Sequence, residues 1–143
     1  MAHDARAVAN FFLDLSVRHT RPLTMLHLQK LLFFAHGWWL VRRSEPLIRQ
    51  SFEAWPLGPV VRLVYEAFGE HPKDAPIESR AKFLNYETSV ISDERPVFVG
   101  GEEKLIEELF LYYSSSNPFY LVNLTHVLGG TLGCGGQLQN HCS

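Results

Sequence analysis

The run from Thr24 to Val60 constrains this chain more than any other stretch. It opens as a helix that is apolar on most of its sides. It closes on the rigid string Ala54-Trp55-Pro56-Leu57-Gly58-Pro59-Val60. Thr24 is a suitable N-cap, because its hydroxyl can accept from a free N–H in the first turn. Leu28, Leu31, Leu32, Ala35 and Trp39 then recur at steps of three or four, which is one helical face. Leu26, Phe33, Phe34 and Trp38 widen that face beyond a stripe, so the helix is expected at the centre of the core. At 1.5 Å per residue it would be about 27 Å long. It is not a membrane span, since His27, Gln29, Lys30 and His36 interrupt it and about 20 largely apolar residues would be needed.

The second half of the run is expected to be a stiff turn. Pro56 and Pro59 restrict φ and Gly58 permits positive φ. Pro59 suits the first position of a third helix ending near Gly69, with Val60, Val61, Val64, Ala67 and Phe68 at helical spacing. Trp55 is then held between two helices. A first helix is capped by Asp4 and buries Ala5, Val8, Ala9, Phe12 and Leu15. Glu102 to Tyr113 reads as a fourth helix, with two acids at its positive end and Leu105, Ile106, Leu109, Tyr112 and Tyr113 on its apolar side. Asn117-Pro118 is a cap followed by a first-turn proline, and opens a short fifth helix over Leu121, Leu124 and Val127. Short extended segments are expected within 47–54 and 77–99. The fold class is therefore mainly α: one helical domain of about five helices, with one or two short strands.

Composition narrows the function. A chain of 143 residues with 46% apolar and 20% charged residues is that of one globular domain, burying about 68% of its unfolded surface. Residues 1–20 read as an amphipathic pattern rather than a secretory leader. Two cysteines, both in the tail, make no disulfide framework, so the cytoplasm is the expected location. The net charge of −2 argues against non-specific nucleic-acid binding. Arg42, Arg43, Arg49 and Arg62 are the only candidates for a basic face. No glycine-rich phosphate loop, nucleophile elbow or His-Glu-x-x-His pattern is present, so no catalytic residue and no cofactor is assigned. His126, Cys134, His141 and Cys142 are of zinc-ligand type, but their spacing fits no compact finger, and no metal site is assigned.

Three motifs together resemble the Panacea antitoxin domain, a family also described as SocA-like or GepA-like, the last a phage-associated label. They are Leu26-His27-Leu28-Gln29-Lys30-Leu31-Leu32-Phe33-Phe34-Ala35-His36-Gly37-Trp38, then Phe52 to Val60, then Leu124-Thr125-His126. The resemblance covers about residues 4–128 and implies a mainly helical antitoxin domain of a toxin–antitoxin pair, whose partner is a cognate protein toxin. Members neutralise unrelated toxins, among them translation-blocking enzymes similar to small alarmone synthetases. One branch delivers its toxin to an ATP-dependent protease. The resemblance leaves a homodimer and an autoregulatory DNA-binding role open. His27 stands where the family favours Lys, and Phe33 where it often has Tyr.

The candidate partner-binding residues are Lys30, Trp38, Trp55, Leu57, Gly58, Pro59, Thr125 and His126. Each has a plainer reading. Lys30 and Glu53 read first as an internal ion pair or a backbone contact that fixes the turn. Trp55 reads first as a core plug, and Thr125-His126 as a cap and a local hydrogen bond where a helix ends. Trp38 and Trp39 are adjacent and point to different sides, so at most one lies fully in the core.

Residues 129–143 lack apolar periodicity and are expected to be a loose tail. The family pattern continues after Leu-Thr-His to Pro-Trp, which is absent here. Codons ACC-CTG-GGA-TGC-GGT-GGT for Thr131 to Gly136, read one base later, encode Pro-Trp-Asp-Ala-Val. The tail from about Thr131 is thus read either as a one-base frameshift product or as a coincidence of codon degeneracy. The coding DNA decides between the two.

Overall fold

The computed structural model describes residues 2–115. The expected fifth helix, Thr125, His126 and the tail lie outside these residues. Four helices and two small antiparallel hairpins make up the described part, a mainly helical architecture.

Helix α1 (Ala5–Arg18) is capped by Asp4, whose carboxylate accepts from Arg6 N at 2.8 Å. Helix α2 (Met25–Arg43) is capped by Thr24, which accepts from His27 N. It ends at Ser44, where φ is 55° and the chain turns left-handed. Helix α2 is the central element and packs on α1 and on helix α4 (Glu102–Ser114). Phe12, Leu28, Leu31, Leu32, Trp39, Ile106 and Phe110 are buried where these helices meet. On α4 the buried side is Ile106, Leu109 and Phe110, with Tyr113 half-buried, a run of i, i+3, i+4 and i+7. Tyr112, expected on that side, is exposed, because the stripe is set by Ile106 rather than Leu105.

The segment after α2 is held by the start of the chain. His3 N donates to Leu47 O and Arg49 N to His3 O, both at 2.8 Å. Gln50 Oε1 accepts from Ala5 N, and His36 Nδ1 accepts from Ile48 N at 3.2 Å. The extended segment expected over 47–54 is therefore a single parallel bridge at Ile48. Regular strand begins only at Glu53.

Strands β1 (Glu53–Trp55) and β2 (Gly58–Val60) form a hairpin closed by Pro56-Leu57, in register Glu53↔Val60, Ala54↔Pro59 and Trp55↔Gly58. Gly58 has φ 107°, which the reversal requires. This corrects the expectation that Pro59 begins the third helix. Pro59 lies in β2, and helix α3 spans only Arg62–Ala67. A φ near −65° suits a strand edge as well as a first helical turn, and side chains of α2 hold β2 extended, as described below.

Residues 77–99 do form two short strands, β3 (Phe83–Asn85) and β4 (Val90–Ser92). This hairpin is surface cover, with Leu84, Val90 and Ile91 exposed. Helix α1 holds the segment. Buried Asn10 exchanges two hydrogen bonds with Ala81, Nδ2 to O at 2.9 Å and N to Oδ1 at 2.8 Å, and also donates to Glu94 O. Asp14 pairs with Arg80 and Arg95. Burial would raise the Asp14 carboxyl, but these two guanidiniums outweigh it and hold it below the usual carboxylate range.

Candidate functional site

The two longer motifs of the sequence meet at the β1–β2 hairpin. Gln29, buried on α2, treats Val61 as a strand partner would. Its Oε1 accepts from Val61 N at 2.9 Å and its Nε2 donates to Val61 O at 3.3 Å. The end of the hairpin is thereby pinned by a side chain 32 residues earlier in the chain. Next to it, Lys30 Nζ donates to Pro59 O at 2.9 Å. Of the plainer readings for Lys30, the backbone contact is the one present. Glu53 instead pairs with Arg62 (3.0 Å) and accepts from Trp55 Nε1 at 3.0 Å.

Beside this junction lies a hollow of about 320 Å³. Its walls are Met25 and Leu26 from the first turn of α2, Trp55 and Leu57 from the hairpin, and Tyr65 from α3, with Lys30 also lining it. The Trp55 and Tyr65 rings meet edge to face at 5.0 Å, a stable aromatic geometry. Leu57 at the hairpin tip is 50% exposed. Lys73 sits over the Tyr65 ring at 5.4 Å. Met25, Tyr65 and Lys73 do not stand out in the sequence, because nothing local shows that a loop after α3 returns to the start of α2.

Lys30 is 1% exposed, and burial pushes its ammonium down to about 8. At neutral pH it is still mostly charged. Between pH 8 and pH 10 the unfolded chain holds a proton at this lysine that the folded chain has released, so stability rises with pH there. Relative to Lys30→Met, the native chain should gain roughly 2 kcal/mol between pH 7 and pH 10, since each pH unit in that window is worth at most about 1.36 kcal/mol. Urea unfolding of both chains at the two pH values measures it. An unchanged difference would show that Lys30 keeps an ordinary affinity for its proton.

Trp38 is not brought to this hollow. It lies eight residues further along α2, about 12 Å along the axis. There it donates to Tyr113 OH at 3.1 Å beneath the Arg42 guanidinium. Trp38 is partly exposed and Trp39 fully buried. The arginines considered for a basic face are all engaged within the chain. Arg43 pairs with Glu102, Arg49 with Asp4 and Arg62 with Glu53, while Arg42 stacks on Trp38. His27 is buried and donates through Nε2 to Tyr113 O at 3.2 Å, tying α2 to α4. Among the described residues no group of His, Cys, Asp and Glu is arranged to hold a metal ion, and no helix is long and apolar enough to cross a membrane.

The family model of the SocA-like antitoxins, Panacea domain, matches residues 28–129. The chain belongs to this family. Antitoxin SocA of Caulobacter vibrioides (strain NA1000 / CB15N) is 36% identical over 129 residues, covering 89% of this chain and 67% of that protein. No solved structure matches. Every candidate partner-binding residue of this SocA-like chain, from Lys30 to His126, falls inside the matched segment.

Proposed function

We propose that this SocA-like chain neutralises a cognate protein toxin by binding it directly, through the surface around the β1–β2 hairpin. It acts as a binding protein with no catalytic residues, in the cytoplasm. Family membership supports the antitoxin role. The observation that carries direct binding through this surface is the hairpin itself. It presents Trp55 and a half-exposed Leu57 beside an open apolar hollow, and a braced aromatic next to a pocket is how interface anchors are built. The engaged arginines weigh against an autoregulatory DNA-binding role, which needs free cations along one face.

The test is co-expression with the protein encoded by the adjacent open reading frame, in cells that the neighbour alone arrests. Restored growth together with co-purification of the two proteins is the expected result. Restored growth with a shortened toxin half-life and no stable complex would move the mechanism to delivery to an ATP-dependent protease. A harmless neighbour, or arrest that persists, would remove that pairing.

A further inference from the structure

The hollow beside Lys30 combines features that ordinary core packing does not require. The ammonium of Lys30 has three donors, and the hydrogen bond found for it among the described residues is to Pro59 O. A lysine this buried usually has its charge paired. Here it borders open space walled by Met25, Leu26, Trp55, Leu57 and Tyr65. The charges around the hollow leave a positive excess: Lys30 and Lys73 line it on one side of the balance and Asp74 on the other. Glu53 adds nothing to that sum because Arg62 neutralises it. The floor is rigid, since Gln29 and Lys30 pin residues 59 to 61 to α2. The walls suit a large aliphatic or aromatic side chain, and the floor suits one anion.

We propose that this hollow is the receptor for an acidic, apolar-anchored segment of the partner: one Asp or Glu side-chain carboxylate, bound by Lys30, next to a large apolar side chain seated between Trp55, Leu57 and Tyr65. The proposal rests on the reading of the chain as a toxin-binding protein, and names the chemistry that the toxin must present. Arrival of the carboxylate supplies the ammonium with a second acceptor beside Pro59 O. The apolar neighbour displaces water from the walls, which strengthens the charge contact. Recognition of this kind is narrow in chemistry but tolerant of sequence, because it asks for only two adjacent groups.

The experiment titrates the full chain, labelled with ¹⁵N, with acetyl-Leu-Glu-Leu-amide and, separately, with acetyl-Leu-Gln-Leu-amide. The expected result is saturable movement of the Trp55 indole signal and of the amides of Leu57, Gly58 and Tyr65 with the Glu peptide. The Gln peptide should bind at least about ten-fold more weakly, the usual difference for a charge-assisted contact. Lys30→Met should keep a dispersed spectrum and bind both peptides equally weakly. Equal binding of the two peptides to the native chain, shifts centred elsewhere, or no binding at millimolar peptide would each overturn the proposal. So would tighter binding of acetyl-Leu-Leu with a free C-terminus, which would assign the hollow to a chain end instead. The comparison of Glu with Gln on the native chain decides the matter even if Lys30→Met does not fold. No toxin enters the experiment. Glu-selective binding alongside a harmless genomic neighbour would therefore keep the receptor and discard the pairing, whereas confirmed neutralisation without peptide binding would do the reverse.

Discussion

Replacing Trp55 and Leu57 together by alanine should abolish neutralisation while leaving the chain folded. Leu57 is half-exposed at the hairpin tip, and neither it nor Trp55 belongs to the buried cluster between α1, α2 and α4. The hairpin keeps its register through main-chain pairing, through Gln29 on Val61 and through Lys30 on Pro59. Stability should therefore change little. Binding should change greatly, because a tryptophan at an interface contributes roughly 2–4 kcal/mol when truncated, or about 30- to 1,000-fold in Kd. Growth rescue by co-expression and the far-ultraviolet circular dichroism of the purified variant measure the two sides. A variant that is folded and still neutralises would rule out this face as the docking surface.

Trp39→Ala should have the largest effect on stability, about 3–5 kcal/mol, as expected for emptying a buried aromatic site. Trp39 is 1% exposed, lies 6.2 Å from the Phe98 ring and sits under the Arg43 guanidinium at 5.3 Å. Its indole N–H is the buried side-chain polar atom that lacks a hydrogen-bond partner among the described residues. Such a group costs about 1–3 kcal/mol. Trp39→Phe removes that cost while leaving only a part of the ring volume empty. It should thus fall within about 1.5 kcal/mol of the native chain, much nearer to it than the alanine variant. Thermal or urea unfolding of the two variants separates these effects. If phenylalanine proves as damaging as alanine, the indole nitrogen is satisfied in solution.

Much of the fold is legible in the order of the residues. The buried faces of α1 and α2 follow from apolar spacing, and Asp4 and Thr24 cap the helices their side chains suit. Family membership is legible too, from three short motifs in order. Local pattern starts the third helix too early, because Pro59 is compatible with either a helix start or a strand edge. The choice is made by Gln29 and Lys30, some thirty residues earlier. The α4 stripe is ambiguous for a similar reason: two phases of the 3.6-residue period fit its leucines and tyrosines, and only the partner helices select one.

The candidate site divides in the same way. Trp55, Leu57 and Lys30 stand out from their own neighbourhoods, since a rigid turn bearing tryptophan and a lysine in an apolar helix are local facts. That Lys30 serves the turn as a backbone clamp, that Trp38 stands apart from it, and that Met25, Tyr65 and Lys73 complete a hollow are facts about chain segments distant in sequence. By itself the sequence determined helices α1 and α2, their caps and the faces they bury, because helix capping and apolar periodicity act over a few residues. Only the tertiary structure decided where Pro59 belongs and which groups share the hollow, because those outcomes depend on hydrogen bonds and contacts between residues that local propensity cannot connect.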